Sequence, residues 1–215
     1  MADRGKPPFI ALEGIDKCGK GTQTQKVLNM LREVWGNAVF FREPNERDNL
    51  TGRLIRRILL HELPAPPNEE LQRLFVMDRA VDTVCTVLPG LEHGRPVVAD
   101  RFALSTIAYG ALTGDAMRYV QMHREVLGSW LRWPDLTIIL DIPPEVAMER
   151  LARQEGRRAE LFEQVEKLRK IRMAYLMLST SSRDWAPEMR VEVINGNRPV
   201  DVVAADIRSI LTPYL

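Results

Sequence analysis

The stretch Phe9-Ile-Ala-Leu-Glu-Gly14-Ile-Asp-Lys-Cys-Gly19-Lys20-Gly21-Thr22 decides how the rest of the chain is read. An apolar, β-prone run leads into a glycine-rich turn, and helical spacing of apolar residues opens directly after it, so the order is strand, turn, helix. Glycines let such a turn curl its backbone N–H groups inward, because they tolerate positive φ and close approach. The first amides of the helix and the Lys20 ammonium add positive potential, and the whole makes a cradle for phosphate oxygens. The usual pattern places Ser or Thr directly after the lysine as a magnesium ligand. Here Gly21 stands in that position and Thr22 follows it.

Outward from this segment the same alternation repeats. Aliphatic and β-branched runs predict buried strands over 9–13, 38–42, 96–100, 136–141 and 190–194. Helical spacing predicts helices over 22–34, 71–88, 119–130, 145–151 and 161–178. Strands alternating with helices imply right-handed crossovers, hence an α/β fold with a doubly wound five-stranded parallel sheet flanked by helices. Pro143 and Pro144 fit the first turn of a helix, where a missing N–H costs nothing. Residues 154–158 are polar, basic and contain Gly156, and read as a loop between two helices. No repeat, low-complexity tract or linker interrupts the pattern.

At 215 residues the chain suits a single domain, 1–215, with a core large enough to need neither disulfides nor a structural metal. Thirty basic against 29 acidic residues leave a formal charge of +1, so no global field draws the protein to nucleic acid or anionic lipid. Two cysteines and three scattered histidines offer no disulfide framework and no zinc spacing, which suits a reducing cytoplasm. No apolar run reaches the ~18 residues of a membrane span, and the N-terminus shows no targeting segment.

Further segments fall in a telling order. Leu12-Glu-Gly-Ile-Asp16 opens the turn, Phe41-Arg-Glu-Pro44 ends the second strand, and Leu74-Phe-Val-Met-Asp-Arg-Ala80 lies in a helix. Asp100-Arg101-Phe102 ends the third strand, Ser105-Thr-Ile-Ala-Tyr109 follows, Pro134–Asp141 makes the fourth, and Asn195-Gly-Asn-Arg-Pro199 follows the fifth. Across nearly the whole chain this series resembles the thymidylate kinase family of P-loop nucleoside monophosphate kinases. Adenylate kinases also read Gly-Lys-Gly-Thr-Gln at the turn, so nucleotide kinases already include working sites of this form.

The resemblance implies ATP-dependent phosphorylation of dTMP to dTDP, with magnesium, in a protein that is typically a homodimer. Carried over residue by residue, it implies that Gly14, Ile15, Asp16, Lys17, Cys18, Gly19, Lys20, Gly21 and Thr22 surround the ATP phosphates. Asn197 and Arg198 would lie near adenine, and Arg153, Arg157 and Arg158 in a lid segment near 150–160. Asp16 would hold the acceptor 3′-hydroxyl, Phe75 would stack on thymine, and Arg79 would donate to a base carbonyl. Arg101, with Arg47, would clamp the acceptor phosphate, and Tyr109 would lie under the deoxyribose. Thr22 and Asp100 would serve magnesium or its waters. Lys20, Lys17, Arg101, Asp16 and Arg157 form the expected catalytic set, and the resemblance leaves open whether the loop lysine or a lid arginine is the main cation. Some relatives carry glutamines beside the Ala-Tyr pair, where this chain has Ile107 and Gly110, so the thymine N3 edge would fall to Thr106 or water. Rival readings are another nucleoside monophosphate or deoxynucleoside kinase, accepting dUMP, AMP or thymidine, and an inactive nucleotide-binding regulatory module. Asp100-Arg101-Phe102 differs from the third-strand segments of adenylate and deoxynucleoside kinases.

Overall fold

The computed structural model describes residues 5–155 and 161–215. Its strands are β1 (Phe9–Glu13), β2 (Val39–Arg42), β3 (Val97–Asp100), β4 (Leu136–Asp141) and β5 (Arg190–Asn195), joined in the order β2-β3-β1-β4-β5. Every pairing among them is parallel. Both central strands, β1 and β3, are buried along their whole length, as their near-continuous apolar runs require of strands covered on two faces. Phe102 packs edge to face on both Phe9 and Phe41, its centroid 4.9 Å from that of Phe9, while Phe9 and Phe41 stack on one another.

The helices are α1 (Lys20–Trp35), α2 (Leu50–Leu59), α3 (Asn68–Asp82), α4 (Leu88–Glu92), α5 (Ala103–Gly110), α6 (Ala116–Leu127), α7 (Pro144–Glu155), α8 (Leu161–Ser181) and α9 (Val200–Leu211). The five strands expected from sequence are present with ends shifted by at most one residue. The single helix expected over 71–88 is instead α3, a π-helical turn Thr83–Val87 and α4. Pro89 is the physical reason: it has no N–H for a carbonyl four residues back, and the wider turn, with Leu88 N–H on the Thr83 carbonyl, accommodates it. The loop expected over 154–158 is also corrected, since α7 continues through Glu155; residues 156–158 lie outside the described residues. Helices α2, α5 and α9 had no sequence expectation. The first is capped by Asn49, whose side chain accepts from Thr51 N–H, and its amphipathic face buries Ile55 and Ile58. The last hides its helical period behind a run of β-branched valines.

Candidate active site

All five strands end at the same edge of the sheet, and parallel register lines their last residues up. Arg42 faces Asp100, Asp100 faces Leu12, Glu13 faces Ile139, and Asp141 faces Asn195. Open α/β sheets bind ligands outside this carboxyl edge. The glycine-rich turn leaves β1 there. Gly14 takes φ 134°, and a Cβ on it would stand 2.6 Å from the Leu140 carbonyl oxygen, so only glycine fits.

Two non-glycine residues of the edge, Lys17 (φ 61°) and Arg101 (φ 73°), hold left-handed backbone. Such conformations cost on the order of 1–3 kcal/mol each and persist only where surroundings impose them. Here the impositions are visible: Arg101 N–H donates to Leu12 O at 2.9 Å, and Lys17 O accepts from Arg150 Nη1 at 3.0 Å. Both strained positions carry cations. Arg101 reaches across the turn, donating to Asp16 Oδ1 at 2.5 Å and to Gly14 O at 3.2 Å, and its guanidinium lies 5.7 Å from the centre of the Tyr109 ring. Lys20 folds over the loop, its Nζ donating to Gly14 O at 3.0 Å and Ile15 O at 2.9 Å.

The charges of this cluster tune one another. Burial, seconded by the Arg101 cation, pushes the Lys20 ammonium below its ordinary pKa. Asp16 keeps an exposed side chain; desolvation by the surrounding turn alone would raise it, but Arg101, Lys20 and Lys17 outweigh that and hold the carboxyl below the usual range. Burial pushes the Tyr109 phenol up to about 12. The site is therefore a knot of cations around the Asp16 carboxylate.

On the acceptor side, Phe75 and Arg79 share a face of α3, with Phe75 half-buried and Arg79 completely buried. Arg79 donates from Nε to Glu43 Oε1 at 3.1 Å and from Nη2 to Glu43 Oε2, and from Nη1 to Thr106 Oγ1 at 3.1 Å and His123 Nε2 at 2.5 Å. Its guanidinium also lies 4.8 Å from the Phe102 ring centre. Arginine has only donors, so His123 Nε2 must accept, and its Nδ1–H then donates to Tyr119 O at 2.6 Å. Burial and the Arg79 charge depress His123 to about 3, in keeping with a neutral ring. This accounting leaves one of the five guanidinium hydrogens unassigned. Thr106 is buried and Tyr109 half-buried on α5. Gly110 lies under the buried Tyr119 ring, which a Cβ would meet at 2.5 Å, so no side chain fits where relatives place glutamine.

Other expected residues are more dispersed. Arg47 is exposed in the loop before α2, Thr22 is exposed on the first turn of α1, and Arg153 is exposed with Glu149 3.9 Å away. Cys18 is buried within the turn, with its Sγ 3.6 Å from Lys20 Nζ. Asn197 donates its backbone N–H to Asn195 Oδ1 at 2.9 Å, while Arg198 Nε donates to Asn195 O at 3.1 Å and its far end pairs with Asp206. Arg157 and Arg158 lie outside the described residues. Asp100 is buried beside the turn, with Oδ2 accepting from Arg42 Nε at 2.8 Å. A Cβ on Gly21 would stand 3.3 Å from Arg42 Nη2, so the residue after Lys20 is crowded by that guanidinium.

Among the described residues no group of three or more His, Cys, Asp or Glu side chains could cage a metal. Magnesium keeps several waters and needs only one or two carboxylates beside substrate phosphates. Asp100 Oδ1 and the exposed Asp16 are carboxylate oxygens of the required kind.

Sequence reasoning assigned no role to Glu13, Arg42, Glu43, Ser105, His123, Arg150 or Tyr175. A charged residue ending an apolar strand is the one local signal that marks Glu13. Arg150 of α7 ties two loops, donating to Lys17 O and, at 3.4 Å, to Gly196 O.

Comparison with known proteins agrees with this geometry. Residues 12–207 match the family model described as thymidylate kinase. A thymidylate kinase of Dinoroseobacter shibae is 37% identical over 212 residues, covering 95% of this chain and 96% of that protein. One from Ruegeria pomeroyi is 35% identical over 212 residues, covering 96% and 95%. A probable thymidylate kinase of Archaeoglobus fulgidus is 33% identical over 207 residues, with 96% of both chains covered. A phosphate cradle at the carboxyl edge, flanked by Asp16, Asp100 and Arg101 and matched from end to end by such relatives, leaves one assignment: the chain belongs to the thymidylate kinase family.

Proposed function

We propose that this chain transfers the γ-phosphoryl group of ATP to dTMP, giving ADP and dTDP by in-line displacement. The observation that carries the reading is the pairing of the phosphate turn with Arg101, a cation in left-handed backbone that spans from β3 to Asp16 and Gly14. Phosphoryl transfer asks for alignment and charge neutralisation rather than covalent help, and a knot of cations at a sheet edge supplies both.

In this reading the backbone amides of residues 14–22 and the Lys20 ammonium hold the β- and γ-phosphates of ATP. Lys17 reaches the γ-phosphate from the loop, with Arg153, Arg157 and Arg158 closing from the lid side and Asn197 and Arg198 beside adenine. Arg101 and Arg47 clamp the dTMP phosphate, Asp16 accepts from the 3′-hydroxyl, Tyr109 supports the sugar and Phe75 stacks on the base. Arg79 presents its one unassigned hydrogen to a base carbonyl, and Thr106, whose oxygen already accepts from Arg79, keeps its own hydrogen to donate. Magnesium, held through Asp100, Thr22 and water, would neutralise charge between the donor phosphates. The chain acts as one domain and works in the cytoplasm, a placement supported by the lack of any helix long and apolar enough to cross a membrane among the described residues. It assembles as a homodimer; Met77, Val81 and Val84, exposed at helical spacing along α3 and the turn after it, support an apolar interface.

A coupled assay of ADP release from ATP-magnesium with dTMP, dUMP, dCMP, AMP or thymidine tests the activity. Turnover is expected with dTMP above all others. Equal or greater turnover with AMP or thymidine would reassign the enzyme, and none with any acceptor would favour a regulatory module.

A further inference from the structure

Helix α8 sends one side chain deep into the carboxyl edge of the sheet. Tyr175 is 1% exposed, and its hydroxyl lies 3.1 Å from Glu13 Oε2, 2.8 Å from Ser105 Oγ and 3.5 Å from Arg101 Nη1. Ser105 Oγ lies 2.6 Å from Glu13 Oε2 and accepts from Arg101 Nη1 at 3.1 Å. Glu13 is fully buried, and its other oxygen accepts from the backbone N–H groups of Phe102 at 2.8 Å and Ser105 at 3.1 Å.

Hydrogen accounting gives the network a direction. Each hydroxyl has one hydrogen and two lone pairs, while a guanidinium only donates and a carboxylate only accepts. Ser105 donates its hydrogen to Oε2 at 2.6 Å, and Tyr175, 3.1 Å from Oε2 and 2.8 Å from Ser105 Oγ, shares its hydrogen between the two. Ser105 Oγ then accepts one Arg101 Nη1 hydrogen and Gly14 O the other, with the Tyr175 oxygen at the limit of reach at 3.5 Å. Buried Glu13 and the partly exposed Arg101 guanidinium are thus joined through Ser105, braced by Tyr175, rather than directly, and each bond polarises the next. Nη1 is occupied by this network and by Gly14 O, Nη2 donates to Asp16, and the Tyr109 side chain also lies against the guanidinium. A second tie fixes α8 in place, since Arg172 donates to both oxygens of Asp141 at 2.6 and 2.8 Å.

We propose that Tyr175 and Ser105 are positioning residues for phosphoryl transfer, two hydroxyls that lock the Arg101 guanidinium to buried Glu13 so that its remaining hydrogens meet the acceptor phosphate. The proposal rests on the reading of Arg101 as the acceptor clamp. A purely structural role for Tyr175, docking α8 on the sheet, is the competing account.

Tyr175→Phe in the full chain separates them, because it keeps the ring and removes only the hydroxyl. Two readouts are taken: steady-state constants for each substrate, and nitrogen-15 signals of the Arg101 side chain, assigned by their loss in Arg101→Lys. The expected result is a fall of about tenfold or more in kcat/KM for dTMP with the KM for ATP within about twofold of wild type. Slow rotation of the guanidinium, visible as resolved Nη signals in wild type, should become fast in the variant. Ser105→Ala should act in the same direction and serves where Tyr175→Phe does not fold. Unchanged Arg101 signals, equal effects on both substrates, or a lowered Tm as the sole effect would each overturn the proposal. If the wild-type chain transfers nothing to dTMP while Arg101 loosens as expected, the activity reading fails and only the anchoring of Arg101 by the two hydroxyls stands.

Discussion

Replacing Arg79 by Met should be among the most damaging single changes to this fold, and its cost follows from the bonds it breaks. Methionine preserves most of the stem but leaves Glu43, itself fully buried, without its cation, and leaves Thr106 and His123 without a donor. Breaking a buried pair by removing one member costs about 3–5 kcal/mol, since the remaining charge is uncompensated. For a chain of this size that is a fall in Tm of roughly 6–20 °C. Burial already pushes the Glu43 carboxyl well above its ordinary value against the pull of Arg79, so in the variant it rises further. A raised carboxyl means that the folded state binds the extra proton. The loss should therefore be smallest at acid pH, where Glu43 is protonated in both proteins, and grow only as pH climbs past the raised wild-type value towards the still higher one of the variant. Denaturant unfolding at several pH values measures it. Adding Glu43→Gln to Arg79→Met should recover about half of the loss or more, because the stranded charge is then gone. A cost below about 1 kcal/mol for Arg79→Met, which is the range of an ordinary hydrogen bond, or a double variant no more stable than Arg79→Met alone, would refute the reasoning.

Lys20→Ala should abolish measurable phosphoryl transfer, a loss of about a hundredfold or more, while the far-ultraviolet spectrum stays that of the wild type; substantial turnover in the folded variant would remove Lys20 from the chemistry. Phe75→Ala should raise the KM for dTMP far more than the KM for ATP, whereas equal effects would make Phe75 a packing residue. Asp82 accepts from Asn45 Nδ2 at 2.6 Å, and burial lifts its pKa from 3.8 to about 7. With the folded value raised, its stabilising contribution is complete below pH 3.8 and is lost as pH rises to about 7. Asp82→Asn should accordingly gain about 2 kcal/mol relative to wild type between pH 5 and 7, and parallel stability curves would rule out this titration.

The glycine-rich turn, the alternation of strands and helices and the parallel sheet were legible in the sequence because each is set within about twenty residues by backbone conformation and side-chain period. So were the cations of the turn and Asp100-Arg101, since residues that end parallel strands are brought to one edge by register alone. Local pattern failed where a local signal was overridden: Pro89 broke an unbroken helical period, and valines concealed α9. The surroundings of the site were decided only by tertiary packing. Arg79 and Glu43 are 36 residues apart in sequence, and Tyr175 and Glu13 are 162 apart, so no periodicity couples them. Nothing in the composition shows that Gly110 exists to admit the Tyr119 ring, or that Gly21 lies under Arg42. Such pairings follow from a general demand, that every buried charge and hydroxyl find a partner once water is excluded. Which partner it finds depends on which helices the sheet brings alongside, and that is a property of the folded chain.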